Sequence, residues 1–170
     1  AGNLSMGDAG KKLKVDASGN IYAAGRINDG YFAKFINIKY NPNGDSIWTR
    51  LIETSSGNGY EDLYAMAFDN SKNILVTGEC DNLDIPVVKY DSAGNLKWMR
   101  IFYGAQLIYD YTNCVAADKS GNVYAAGKSR VSQYGDQFTV IKYNSAGVQK
   151  WVRSYGVQLF DNYDEAKDIE

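Results

Sequence analysis

The sequence predicts an all-β chain built from three copies of one four-stranded unit, and three observations carry that prediction. The first is a repeat. Ile21-Tyr22-Ala23-Ala24-Gly25, Ile74-Leu75-Val76-Thr77-Gly78 and Val123-Tyr124-Ala125-Ala126-Gly127 occupy one place in successive units. The second is spacing: Trp48, Trp98 and Trp151 are 50 and 53 residues apart, and Lys39, Lys89 and Lys142 repeat those spacings. A period near 50 is in the range of β-propeller blades. The third is pattern. Apolar runs are short, β-branched or aromatic, and bounded by turn residues, with no sustained helical periodicity.

Each unit reads as four antiparallel strands, a to d. Strand a covers Leu63 to Phe68 in the second unit and Thr112 to Ala117 in the third. Strand b is Ile74 to Thr77 and ends in glycine; strand c leads into a Lys-Tyr pair, and strand d carries Trp-x-Arg. The a–b links, Asp16-Ala17-Ser18-Gly19-Asn20 and Asp118-Lys119-Ser120-Gly121-Asn122, are turn sequences. The c–d links have Asn or Asp first, Pro42 or Ser second and Gly44, Gly94 or Gly147 fourth, as type I turns prefer. Lys72 stands where the other a–b turns have glycine, which predicts strain or a different shape there.

Units therefore run over about 7–59, 60–108 and 109–162, and 163–170 repeats the start of strand a. Residues 15–170 hold three periods of 52. That spacing predicts one segment of a longer repeat array. Propellers close rings of about 4 to 8 blades, so three leave two bare sheet faces. Further blades or a second chain would close the ring, the latter with two-fold symmetry as six blades.

Composition narrows function. With 18 basic and 20 acidic residues there is no electrostatic case for nucleic acid or an anionic membrane. No apolar run approaches the about 18 residues of a membrane span. The sequence has no histidine, which removes imidazole-based catalysis and His-ligated zinc. Cys80 and Cys114 sit at different points of the repeat; free thiols are favoured over a disulfide, and the redox compartment stays open.

Residues present once per unit are assigned to building the unit. Trp48, Trp98 and Trp151 are core residues of strand d in preference to a sugar-stacking platform. Arg50, Arg100 and Arg153 follow two residues on, and Glu61, Asp110 and Asp164 head strand a, with Asp8 in that place at the start. An Arg–carboxylate tie between strands d and a is expected. The Asp-x-Ser-Gly-Asn loops read as turns in preference to calcium loops.

Function is sought where the repeat breaks. The b–c segments between glycine and lysine hold 13, 10 and 14 residues. They bring Arg26, Asp29, Tyr31 and Phe32 in the first unit, Glu79, Asp81 and Asp84 in the second, and Lys128, Arg130, Gln133 and Tyr134 in the third. These loops share one face with the d–a links, and loops on a rigid scaffold carry binding. Glu79, Asp81 and Asp84 read as a solvated acidic loop before a cation site, and Cys80 has no base near it in sequence. No catalytic set, metal site or cofactor is expected.

The repeated residues resemble the bacterial β-propeller repeat family called SBBP, with its Asp-x-x-Gly-Asn, Tyr-x-x-Gly, Lys-Tyr and Gly-x-x-x-Trp elements. Asp16, Gly19, Asn20, Tyr22, Gly25, Lys39, Tyr40, Gly44 and Trp48 fit in order, as do Asp118 to Trp151. The middle unit departs at Lys72 and Leu75. The resemblance covers nearly the whole chain. It implies a propeller in a secreted or cell-surface protein, without a shared catalytic site. Tyr-Asn-x-x-Gly-x-x-x-Trp also looks like the segment of quinoprotein propellers whose tryptophans lock neighbouring blades; the quinone cofactor does not follow from it. The expected function is thus a non-enzymatic module binding a protein or glycan through its variable loops. The alternatives are a fragment of a quinoprotein-like or other propeller enzyme whose active residues lie elsewhere, and a purely structural assembly module.

Overall fold

The computed structural model describes residues 7–28, 33–52, 54, 61–80, 84–104, 110–129 and 137–156. Twelve strands form three four-stranded antiparallel sheets, each from consecutive chain. Sheet 1 contains β1 (Ala9–Val15), β2 (Ile21–Asn28), β3 (Ala33–Tyr40) and β4 (Ser46–Ile52). Sheet 2 contains β5 (Asp62–Phe68), β6 (Ile74–Glu79), β7 (Ile85–Tyr90) and β8 (Leu96–Phe102). Sheet 3 contains β9 (Tyr111–Ala117), β10 (Val123–Ser129), β11 (Gln137–Tyr143) and β12 (Gln149–Tyr155). Residues 163–170, read as a further first strand, lie outside the described residues.

The tight links are Asx turns. Asp16 Oδ1 accepts from the N–H groups of Ser18 and Asn20 at 2.8 and 3.0 Å, and its Oδ2 accepts from the Asn20 side chain at 2.9 Å. Asp69, Asp118 and Asp91 do the same; in the β3–β4 link Asn41 Oδ1 accepts from the N–H groups of Asn43 and Asp45, while its Nδ2 donates to Asp45 Oδ2 at 2.8 Å. The side chain of the first turn residue therefore replaces a missing backbone partner. Lys72 keeps the same bonds as its glycine counterparts but holds φ at 61°. Strain, not a new shape, is the outcome.

The first strand of each sheet carries a bulge opposite the glycine near the end of the second strand, Gly25, Gly78 or Gly127. Register shifts between Gly10 and Lys12 and between Leu63 and Ala65, and beside Gly127 in sheet 3. A Cβ on Gly25, Gly78 or Gly127 would overlap the carbonyl oxygen of Ala9, Asp62 or Tyr111. Glycine lets the bulged strand cross close over it.

Sheets pack face to face through two apolar joints. Tyr22, Ala24, Phe35, Trp48 and Ile52 of sheet 1 meet Met66, Ile74, Val76, Val88 and Tyr90 of sheet 2. Leu75, Ile85, Val87 and Trp98 of sheet 2 meet Val115, Val123, Ala125, Ile141 and Tyr143 of sheet 3. In each joint an indole lies on the next sheet's turn glycine. A Cβ on Gly94 would come within 2.8 Å of Trp48, and one on Gly147 within 2.7 Å of Trp98. Trp48 Nε1 donates to Ser92 O at 3.3 Å, and Trp98 Nε1 to Ser145 O at 3.0 Å.

Among the described residues the expected Arg–carboxylate tie is not formed. Arg50 Nε donates to Gly94 O at 2.7 Å and Arg100 Nε to Gly147 O at 2.8 Å, so both clamp the neighbouring sheet's turn. Glu61 instead accepts backbone N–H groups from Phe35 and Thr54, at 3.0 and 2.8 Å, and the Thr54 hydroxyl. Asp110 is buried beside the backbone of Gly104. Asp8 accepts from Asn28 N at 2.9 Å, and Asp164 lies outside the described residues. Strand ends leave backbone donors unpaired, and Glu61 and Asp8 serve them.

One side chain contradicts its surroundings. Asn37, 1% exposed in the first joint, has neither amide atom hydrogen-bonded, while Val87 and Val140 hold the same register in the other sheets. Asn37→Val should raise stability by about 1–3 kcal/mol, read as a higher denaturant midpoint. Lys72→Gly should add about 1 kcal/mol by releasing the left-handed backbone, measured in the same way.

Candidate functional site

The face bearing the β2–β3, β6–β7 and β10–β11 links is the candidate site. Arg26, Glu79, Asp84 and Lys128 are described there, whereas Asp29, Tyr31, Phe32, Asp81, Arg130, Gln133 and Tyr134 fall outside the described residues. The four described residues do not converge on one atom. They belong to a row of polar groups running across the heads of the three sheets.

The row starts at the sheet 1–sheet 2 boundary. Asp62, at the head of β5, pairs with Lys11 Nζ at 2.9 Å and Arg26 Nη1 at 3.5 Å, and Arg26 also donates to Gly7 O at 3.3 Å. Next, the Tyr64 hydroxyl donates to Glu79 Oε2 at 3.0 Å. Burial pushes the Glu79 carboxyl above its ordinary range; Tyr64 opposes this and the Asp62 charge adds to it. The Tyr64 and Tyr111 rings meet edge to face at 5.9 Å, and Lys128 Nζ lies 5.5 Å over Tyr111. Asp84 closes the β6–β7 link through paired backbone bonds with Cys80, at 2.9 and 3.2 Å. Burial, then the Asp110 carboxylate, pushes Asp84 up to about 6.

Sequence reasoning missed Lys11, Asp62, Tyr64 and Tyr111. Lys11 and Tyr64 occupy the bulge, where a strand re-aims a side chain. The signal was present: the bulge position varies between units, as Lys11, Tyr64 and Asn113, opposite an unvarying glycine. Among the described residues no group of three His, Cys, Asp or Glu is placed to hold a metal, and Cys80 and Cys114 are buried and form no disulfide. Opposite charges and two tyrosines thus place hydrogen-bonding groups, ring faces and local charge along this row.

The opposite face holds a second feature that the b–c reading did not anticipate. In sheets 1 and 3, Tyr22 and Tyr124 hydroxyls donate to the turn carboxylates of Asp16 and Asp118, at 3.3 and 3.1 Å, with Lys39 and Lys142 over the rings. Leu75 has no hydroxyl. Lys89, 2% exposed at its side chain, pairs with Asp69 directly at 2.8 Å instead. Burial raises the Asp69 carboxyl, but Asn73 and Lys89 bring it below its ordinary value. A crevice of about 360 Å³ opens beside this pair, with Lys97, Lys119 and Ser145 on its walls.

No protein-family model and no curated protein matches this chain. Solved structures do. A crystal structure of the eukaryotic initiation factor superposes with a TM-score of 0.55 at 12% identity, covering 91% of this chain and 34% of that one. This chain thus spans about a third of that structure's length. The likeness is one of fold alone. A tail fibre of a Staphylococcus aureus phage aligns over 87% of this chain and 39% of its own, at 9% identity, with a TM-score of 0.30 that carries no argument.

The site titrates in a defined direction. Between pH 3.8 and about 6 the folded chain holds a proton on Asp84 that the unfolded chain has released. Stability therefore falls as pH rises through that window. Asp84→Asn should flatten the fall and leave the variant more stable near neutral pH. After allowance for solvent screening the gain is about 1 kcal/mol, read by calorimetry across the window.

Proposed function

We propose that the chain is three blades of a β-propeller of the bacterial SBBP repeat type, from a secreted or cell-surface protein. It acts as a non-enzymatic binding module for a protein or glycan. The observation that carries this reading is the division of labour between its two faces. Residues common to the units are engaged in Asx turns, bulge crossings and inter-sheet joints. Residues that differ between units, among them Lys11, Arg26, Asp62, Tyr64, Glu79, Tyr111 and Lys128, gather on the face of the variable links. A scaffold held constant under a varied polar and aromatic surface is how repeat folds make binding sites.

The ligand this surface suits is polar, since tyrosine ring faces alternate with carboxylates and cations along the row. A panel of glycans and surface proteins tests the reading. Tyr64→Ala with Lys128→Ala should weaken any binding at least about tenfold, or about 1.4 kcal/mol, while Lys97→Ala with Lys119→Ala on the opposite face should leave it unchanged. Binding that survives the first pair and disappears with the second refutes the proposal, and so does a panel without any binding.

A further inference from the structure

We infer that the two outer sheet faces of this chain are the two halves of one more joint, formed head to tail between copies of the chain. This inference rests on the repeat reading above, but not on the identity of any ligand.

The two internal joints define what a joint requires. On the trailing face it needs a tryptophan and an arginine, and on the leading face a turn glycine with free carbonyls and an apolar sheet. The sequence has three such tryptophans and three such turns. Trp48 covers Gly94 and Trp98 covers Gly147. One of each is left over. Gly44 would meet nothing within 4 Å on gaining a Cβ, so no indole covers its turn. Trp151, at the other end, is half-buried where Trp48 and Trp98 are 8% and 6% exposed. Arg153 keeps only the local bond to Val152 O, at 2.8 Å, that Arg50 and Arg100 also make to their own neighbours. Its bond to a turn glycine is missing among the described residues.

The sheets beneath these residues match as well. On sheet 1, Leu13 shares the register of Met66 and Val115; they are 6% exposed and it is 63% exposed. Val15 shares the register of Phe68 and is 56% exposed. On sheet 3, Tyr155 shares the register of Ile52 and Phe102; Ile52 is 5% exposed and Tyr155 is 75% exposed. Phe138 and Val140 cluster with Cys114 and Ala126 on that outer surface. Leu13, Val15 and Tyr155 are thus exposed at positions that are core in the joints and Trp151 is half-buried, while Cys114 and Ala126 are buried. Contiguous apolar patches of this kind mark association surfaces.

The occupant that fits is the complementary face of this same chain. Trp151 of one copy lies on Gly44 of the next, its Nε1 donating to the Pro42 carbonyl and Arg153 Nε donating to the Gly44 carbonyl. Such a contact is heterologous, and it closes into a ring when the rotation returns to the start. Two copies repeat the contact twice and give six sheets.

Light scattering on the eluting chain at about 0.1 mM tests this directly. The expected mass is twice the 18.8 kDa of one chain. Trp151→Ala and Leu13→Lys alter exposed or half-exposed positions, and unchanged circular dichroism confirms that each variant folds. Each alone should weaken association at least tenfold. Mixed in equal amounts they should associate more tightly than either alone, because the mixture recovers one intact Trp151–Gly44 joint. A wild-type chain that stays monomeric at this concentration overturns the inference. So does association that neither variant weakens, or a mixture no better than its parents.

Discussion

An indole resting on a glycine turn is the contact on which the rest of the structure depends. The tryptophan comes from the last strand of one sheet and the glycine from the last turn of the next. Trp48 on Gly94 and Trp98 on Gly147 therefore fix both the distance and the register between sheets. The ring N–H and the following arginine reach two carbonyls of the same turn. Those carbonyls face the interface, where an unmet acceptor would cost about 1–3 kcal/mol. Arg50 also covers the indole, at 5.7 Å from its centre. Apolar area supplies the drive to pack, and these directional bonds select one packing.

The turn glycine has two duties that no other residue combines. It holds a φ of 82° in Gly94 and 78° in Gly147, and it leaves room for the indole. The Asx side chain at the start of the turn holds the loop rigid, so the carbonyls arrive already aimed.

Much of this was legible in the sequence, because Asx turns, strand alternation and the tryptophan period are local signals. Tyr22 and Lys39 recur with their turn aspartate, and their stacking follows from that recurrence. The role expected for arginine was wrong for an instructive reason. Sharing a strand face with a carboxylate at the next strand's head suggested an ion pair, yet Glu61 was needed by the N–H groups of Phe35 and Thr54. The arginine's nearer partner was a backbone carbonyl, which a sequence does not display. The bulge was hidden likewise: Tyr64 reads as one more strand residue until Gly78 is seen crossing beneath it. The exchange of Tyr for Leu75 was visible, but its result, a buried Lys89–Asp69 pair, needs the geometry of three strands at once.

The meandering order of the strands also bears on how the chain reaches this structure. Every residue paired within a sheet lies within 20 positions of its partner along the chain. Loop closure over such short spans is entropically cheap, and hairpins of this length form in about 1–10 μs. Each sheet can therefore nucleate by itself, with the indole contacts locking neighbours afterwards. An all-β protein is ordinarily slow because its pairings are distant. Here the distances are short, and the chain should fold rapidly for its class, in whichever sheet ordering begins.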